Sequence, residues 1–206
     1  MTDCCQEKSC DLELMAKRHA KVLWAVLIIN AVMFFAEMIA GIRADSTALL
    51  GDSLDMLGDA IAYSSSLLVI RSGAAAKAKS ARLKGALMLL LGAAILGRAI
   101  FRLWVPELPE TELMTLVGFA ALTANGFCLL LLNRHRSDDI NMKSVWICSR
   151  NDIIANVCVI GAAAIVSVTH SPLPDLAVGI ALSVLFINSA LSVLRDSKFQ
   201  MELSAK

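Results

Sequence analysis

Six apolar runs, each about 20 residues long, constrain the fold of this chain more than any other feature. A helix rises about 1.5 Å per residue, so a run of this length crosses a hydrocarbon core about 30 Å thick. Because 57% of the 206 residues are hydrophobic and only 18% are charged, the chain cannot be an ordinary soluble domain. The sequence therefore predicts an all-α membrane protein with six transmembrane helices, at residues 23–42, 46–70, 83–105, 113–132, 144–169 and 176–194.

Basic residues segregate to one side of the predicted bundle. Most of the 19 Lys and Arg residues lie before residue 23, in the loops 71–84 and 134–143, and after residue 194. Cytoplasmic segments carry this excess in membrane proteins, so both termini are expected in the cytoplasm. The expected organisation is a cytosolic cysteine-containing tail at 1–21, a six-helix transmembrane domain at 22–195 and a short cytosolic tail at 196–206.

Two pairs of polar residues at i, i+4 spacing interrupt the apolar runs: Asp55 with Asp59, and Cys148 with Asp152. Residues four apart share one face of a helix. Ionised side chains are costly at bilayer depth, so their presence there indicates function. The two faces together offer three carboxylates and a thiolate, a tetrahedral ligand set for a divalent cation of borderline softness. The four residues are therefore the candidate metal site of an ion transporter.

Two further polar residues extend these faces. Asp52 lies on the face of Asp55 and Asp59, nearer the outside, as an outer-shell or exit ligand. Asn156 continues the face of Asp152 outward, where an amide orients a ligand or holds water. Both are auxiliary candidates.

Soft ligands also occur outside the predicted helices. Cys4, Cys5 and Cys10 lie in the N-terminal tail without the spacing of a structural zinc site. The tail either collects metal for the pore or is unstructured with incidental cysteines. His135, in a basic loop, is either an entry ligand or a solvated loop residue.

The polar pairs and their surroundings resemble the cation diffusion facilitator family. Its second helix opens with a Ser-x-Ala-Leu-Leu stretch and an acidic residue, followed by a metal ligand and, four residues later, Asp. The corresponding segments here are Ser46-Thr-Ala-Leu-Leu-Gly-Asp52-Ser-Leu-Asp55-Met-Leu-Gly-Asp59 and Cys148-Ser-Arg-Asn-Asp152-Ile-Ile-Ala-Asn156. The resemblance covers about residues 20–198 and implies a six-helix transporter that exports divalent transition metals in exchange for protons.

The resemblance carries further expectations and shows two departures. It implies a homodimer, lined by the third helix, in a bacterial inner membrane. The family usually has a histidine in at least one ligand pair, whereas Asp55 and Cys148 stand at those positions here. Only 12 residues follow Leu194, so a short form lacking the C-terminal cytosolic domain is expected.

Charge balance at the four-residue site predicts coupling to protons. Three carboxylates and a thiolate carry four negative charges, of which a divalent cation balances two. We therefore expect that some ligands keep a proton until metal binds, or that Arg98 or Arg150 lies close. Metal and protons then compete, which predicts antiport by alternating access around a midplane site. A purely structural interpretation makes the four residues internal hydrogen-bonding groups or partners of the two arginines.

The thiolate favours zinc as the transported metal, with cadmium, cobalt or nickel as alternatives. Metal and protons are expected as substrates rather than cofactors, and the lipid bilayer as the surroundings. A membrane metal sensor or accessory protein without transport is the alternative. An intramembrane aspartyl protease using Asp52 or Asp59 with Asp152 is a remote one. No soluble-enzyme motif or nucleic-acid patch is visible in the sequence.

Overall fold

The computed structural model describes residues 20–68, 74–133 and 142–204, and these form helices joined by short connections. In chain order the helices are α1 Ala20–Arg43, α2 Thr47–Leu68, α3 Ala74–Trp104, α4 Thr111–Asn133, α5 Met142–Thr169 and α6 Leu173–Ser204. Each predicted run coincides with one helix, which confirms the all-α fold.

Two helices extend beyond their apolar runs. The predicted basic loop at residues 71–84 is wrong for most of its length, since α3 begins at Ala74. Likewise α6 continues to Ser204, through most of the segment predicted as a short tail. Alanine and lysine are strong helix formers that carry no membrane-spanning signal. Hydropathy therefore predicted the apolar part of α3 but not its first turns.

Five of the described helices are long and apolar enough to cross a membrane, and α2 is the exception. Three aspartates within its 22 residues lower its hydropathy. The helix nevertheless packs against α1, α3, α5 and α6. Large apolar side chains on the surrounding helices point outward instead, including Phe35, Leu90 and Leu116, each more than 60% exposed. The chain is thus an integral membrane protein in which α2, the described helix that falls short of the hydropathy of a membrane span, packs within the bundle.

A tight turn connects α1 to α2. Asp45 adopts a left-handed backbone conformation with φ of 53°, and the Ser46 N–H donates to the Gly41 carbonyl over 3.0 Å. This six-to-one bond after a left-handed residue is a Schellman ending, which satisfies a helix-end carbonyl. The turn directs α2 back along α1.

Asp175 of α6 caps the start of α2. Its carboxylate accepts hydrogen bonds from the Thr47 N–H at 2.7 Å, the Ala48 N–H at 3.1 Å and the Ser46 hydroxyl at 2.6 Å. First-turn N–H groups have no partner within their own helix, and here a neighbouring helix supplies it. The first turns of α2 and α6 are therefore side by side, and the two helices start at the same end of the bundle.

A glycine permits this close approach. A Cβ built on Gly179 of α6 would lie 2.5 Å from the carbonyl carbon and oxygen of Thr47. Side chains are excluded from a gap of this size, and small residues at such crossings are typical of membrane helix packing. The crossing fixes α2 and its aspartates relative to α6.

Candidate metal centre

A hydrogen bond between α2 and α5 sets the register of the two helices that carry the predicted ligands. The Asn156 Nδ2 donates to Asp52 Oδ1 over 3.3 Å and to the backbone oxygen of Asp152 over 2.9 Å. Helix α5 ends at Thr169, shortly before α6 begins beside the start of α2. The two helices therefore run antiparallel, with Asp52 level with Asn156.

This register brings the predicted ligands of the two helices to similar depths. One turn beyond Asp52 along α2 lies Asp55, and one turn back from Asn156 along α5 lies Asp152. A further turn adds Asp59 on α2. By helix rise, Asp59 lies about 14 Å from the end of α2 and Asp152 about 15 Å from the start of α5. The pairs predicted from sequence thus occur on neighbouring helices at the middle of the bundle.

The described side chains do not complete a metal site by themselves. Asp152 is buried, with 8% of its surface exposed, and Asp55 and Asp59 are half-buried. Three or more His, Cys, Asp or Glu side chains do not converge on one point among those that the structure describes. Cys148 lies within α5, but its side chain is outside the described part of the chain. The fourth proposed ligand therefore stays a prediction.

The auxiliary candidates divide into two groups. Asp52 and Asn156 are fully buried and hydrogen-bonded to each other. The other four lie outside the described residues: Cys4, Cys5, Cys10 and His135. Only the first group can be judged from the structure.

The arginine expected near the ligands lies elsewhere. Arg98 of α3 donates to Asp45 Oδ1 over 2.7 Å, and Arg102 contacts both Asp45 and Glu107. The two ion pairs with Asp45 join α3 to the α1–α2 turn. The guanidinium of Arg98 is thus bound at the end of the bundle, because a carboxylate in the turn lies within its reach. The side chain of Arg150 is outside the described part of the chain.

Glu37 of α1 is a buried acidic residue beside the candidate site that the sequence analysis missed. Its side chain is 0% exposed, and neither carboxylate oxygen has a hydrogen-bond partner among the described residues. Its carboxyl group lies near those of Asp52 and Asp55 on α2. The signal was present in the sequence, since Glu37 is an acidic residue inside an apolar run. Glu37 is the only acidic residue of α1, so it forms no pair at i, i+4 spacing of the kind that identified the other candidates.

Comparisons with known proteins show which family the chain resembles. A family model described as the cation efflux transmembrane domain matches residues 23–201. Zinc transporter ZitB of Pectobacterium atrosepticum is 31% identical over 195 residues, covering 87% of this chain and 60% of that protein. Metal cation efflux system protein CzcD of Cupriavidus metallidurans is 27% identical over 198 residues, covering 86% of this chain and 62% of that protein. The chain thus spans less than two thirds of the length of these relatives.

Proposed function

The chain belongs to the cation efflux family, and from this premise we propose that it exports a divalent transition-metal cation, with zinc as first choice. Similar proteins are named as a zinc transporter and a metal cation efflux protein. The proposed activity is transport, and the membrane-protease alternative has no support from these relatives.

The observation that carries the proposal is the register between α2 and α5. The contact from Asn156 to Asp52 puts Asp55 and Asp59 on a helix beside the one that bears Asp152. A buried group of acidic residues in a bilayer requires a cation or a proton. With the thiolate of Cys148 as fourth ligand, the site would hold one tetrahedral metal ion.

Ligand softness supports the choice of metal. A thiolate beside carboxylates favours zinc, cadmium, cobalt or nickel over magnesium, calcium and manganese, which prefer oxygen ligands. Replacing Cys148 by a hard ligand should therefore alter selectivity more than it alters the ability to transport.

Coupling to protons follows from the same ligands. Carboxylates and a thiol must lose protons before they bind metal, so metal and protons exclude each other at the site. We propose antiport in which metal leaves toward the outside as protons enter. Helix α2 is fixed to α6 at its start by the Asp175 cap, whereas its contact with α5 is less extensive. Movement of α5 relative to α2 would close and open the site.

Orientation and assembly complete the proposal. The distribution of basic residues supports cytoplasmic termini, with the α1–α2 turn facing outward, and we propose a bacterial inner membrane as the location. The family resemblance predicts a homodimer through α3. A Cβ at Gly97 of that helix would meet no atom of the described residues within 4 Å, so a partner helix could approach at this position.

Flux measurements in proteoliposomes test the proposal. The purified protein is reconstituted with an imposed pH gradient, and uptake of Zn²⁺, Cd²⁺, Co²⁺, Ni²⁺ and Mn²⁺ is followed. We expect gradient-driven flux of a soft divalent metal, and loss of this flux in Asp152→Ala. The matched control is Glu112→Ala, which removes an exposed carboxylate from the first turn of α4 and should leave flux unchanged.

Two results would contradict the proposal. Equal flux in wild type and Asp152→Ala would place the metal path elsewhere. Stoichiometric metal binding without any flux would favour the sensor or accessory alternative.

A further inference from the structure

A second group of oxygen ligands lies one helical turn from the proposed metal centre, on the side of the α1–α2 turn. Its members are Glu37 on α1, Asp52 on α2 and Asn156 on α5, and each is 0% exposed. Three helices therefore contribute one polar side chain each to the same buried region. None of the three belongs to the ligand set proposed above.

The group contains unsatisfied acceptor atoms. Both oxygens of Glu37, the Oδ2 of Asp52 and the Oδ1 of Asn156 have no hydrogen-bond partner among the described residues. The amide of Asn156 uses its Nδ2 for Asp52 and for the backbone of Asp152, which leaves its carbonyl oxygen for another group. Buried polar atoms are almost always paired, so several unpaired acceptors in one region indicate a missing ligand.

The charge of the group indicates what this ligand is. Glu37 and Asp52 interact as like charges, and their burial makes this repulsion costly. A water molecule would donate hydrogen bonds but would leave the charge unchanged, and protons, which would neutralise the carboxylates, compete with a cation for the same oxygens. A divalent cation satisfies the acceptors and neutralises both carboxylates. Carboxylate and amide oxygens are also the ligands that hard divalent cations prefer.

We propose that Glu37, Asp52 and Asn156 form a second, oxygen-lined site for a divalent cation, through which the transported metal leaves the central site. This inference rests on the proposed function for the direction of transport, whereas the binding site itself does not depend on it. Asp52 is one turn from Asp55, and Asn156 is one turn from Asp152, so the two sites adjoin. Without a thiolate, the second site holds a borderline metal less tightly, which suits a release step.

Mn²⁺ is the probe that separates the two sites, because it prefers oxygen ligands. Binding is measured by electron paramagnetic resonance on the full-length protein in lipid nanodiscs, with Glu37→Gln as the test variant. Glutamine keeps the shape of the side chain and removes its charge. Loss of this ligand should weaken Mn²⁺ binding on the order of tenfold or more, whereas Asp152→Asn should retain it. Asp52→Asn replaces Glu37→Gln if the latter protein does not fold.

Cd²⁺ supplies the complementary measurement, since a thiolate ligand gives an ultraviolet charge-transfer band and an oxygen-only site does not. Glu37→Gln should keep this band, while Cys148→Ser should lose it. The inference is overturned if Mn²⁺ binding is unchanged in Glu37→Gln, or if it disappears in Asp152→Asn.

Zinc flux distinguishes failure of this inference from failure of the proposed function. If zinc flux requires Asp152 but Mn²⁺ binding is unchanged in Glu37→Gln, the transport proposal stands and the second site is refuted. If Mn²⁺ binding is weakened in Glu37→Gln but the protein shows no zinc flux, the second site stands and the transport proposal is refuted.

Discussion

Removing the carboxylate of Asp175 should destabilise the bundle more than any surface ion pair. The side chain is 2% exposed and accepts hydrogen bonds from the N–H groups of Thr47 and Ala48. Asp175→Ala leaves both donors without a partner. Each buried unsatisfied donor costs about 1 to 3 kcal/mol, so the free energy of unfolding should fall by about 2 to 6 kcal/mol. Asp175→Asn keeps one acceptor oxygen and should lose about half as much.

The assay is unfolding of the detergent-solubilised protein by titration with sodium dodecyl sulfate, followed by far-ultraviolet circular dichroism. The control is Asp45→Asn, which breaks the ion pairs with Arg98 and Arg102 at a partly exposed position. Asparagine tolerates the left-handed conformation at this position, and exposed ion pairs contribute about 0 to 1 kcal/mol. If Asp175→Ala lowers the free energy of unfolding no more than Asp45→Asn, the cap between α6 and α2 does not stabilise the fold as argued.

Three further perturbations test separate parts of the structure. Gly179→Ala would press a methyl group against the backbone of Thr47. It should lower the free energy of unfolding by about 1 to 3 kcal/mol in the same titration, whereas Gly126→Ala, where a Cβ would meet no described atom within 4 Å, should not destabilise. Cys148→Ser should reduce Cd²⁺ affinity more than Mn²⁺ affinity, because it removes the soft ligand. Isothermal titration calorimetry measures both affinities, and Cys158→Ser, at an exposed cysteine, is the control. An equal loss of affinity for both metals would contradict the prediction. Zinc affinity should fall as pH is lowered, because protons compete for the ligands, and zinc binding in weakly buffered solution should release protons; a pH-independent affinity would refute the coupling.

Much of the fold could be predicted from the sequence because the bilayer imposes a length on each apolar run. The prediction was wrong at the polar extensions, such as the first turns of α3 from Ala74, since these gain their stability from helix propensity rather than from lipid burial. It was right for α2, which falls short of the hydropathy of a membrane span, because the aspartates themselves were interpreted as functional.

The candidate site was only partly predictable. Spacing along one helix identified Asp55 with Asp59, because residues four apart share a face. Spacing cannot show which helices adjoin, so Glu37 of α1 was missed although it lies with Asp52 in the structure. The role of Asp175 was hidden for the same reason, since its partners lie 127 to 129 residues earlier in the chain.

The cap from Asp175 to the start of α2 also bears on how the protein is made. During synthesis α2 emerges before α6, and each aspartate opposes its entry into lipid from the translocon by about 2.5 to 3.5 kcal/mol at the centre of a helix. Until α6 arrives, the first N–H groups of α2 lack the carboxylate that pairs with them in the finished bundle. We therefore expect α2 to enter the membrane as a hairpin with α1. Its position in the membrane should become stable only after α6 has been inserted. Ribosome-bound chains that end before α6 should accordingly leave α2 open to labelling by water-soluble reagents.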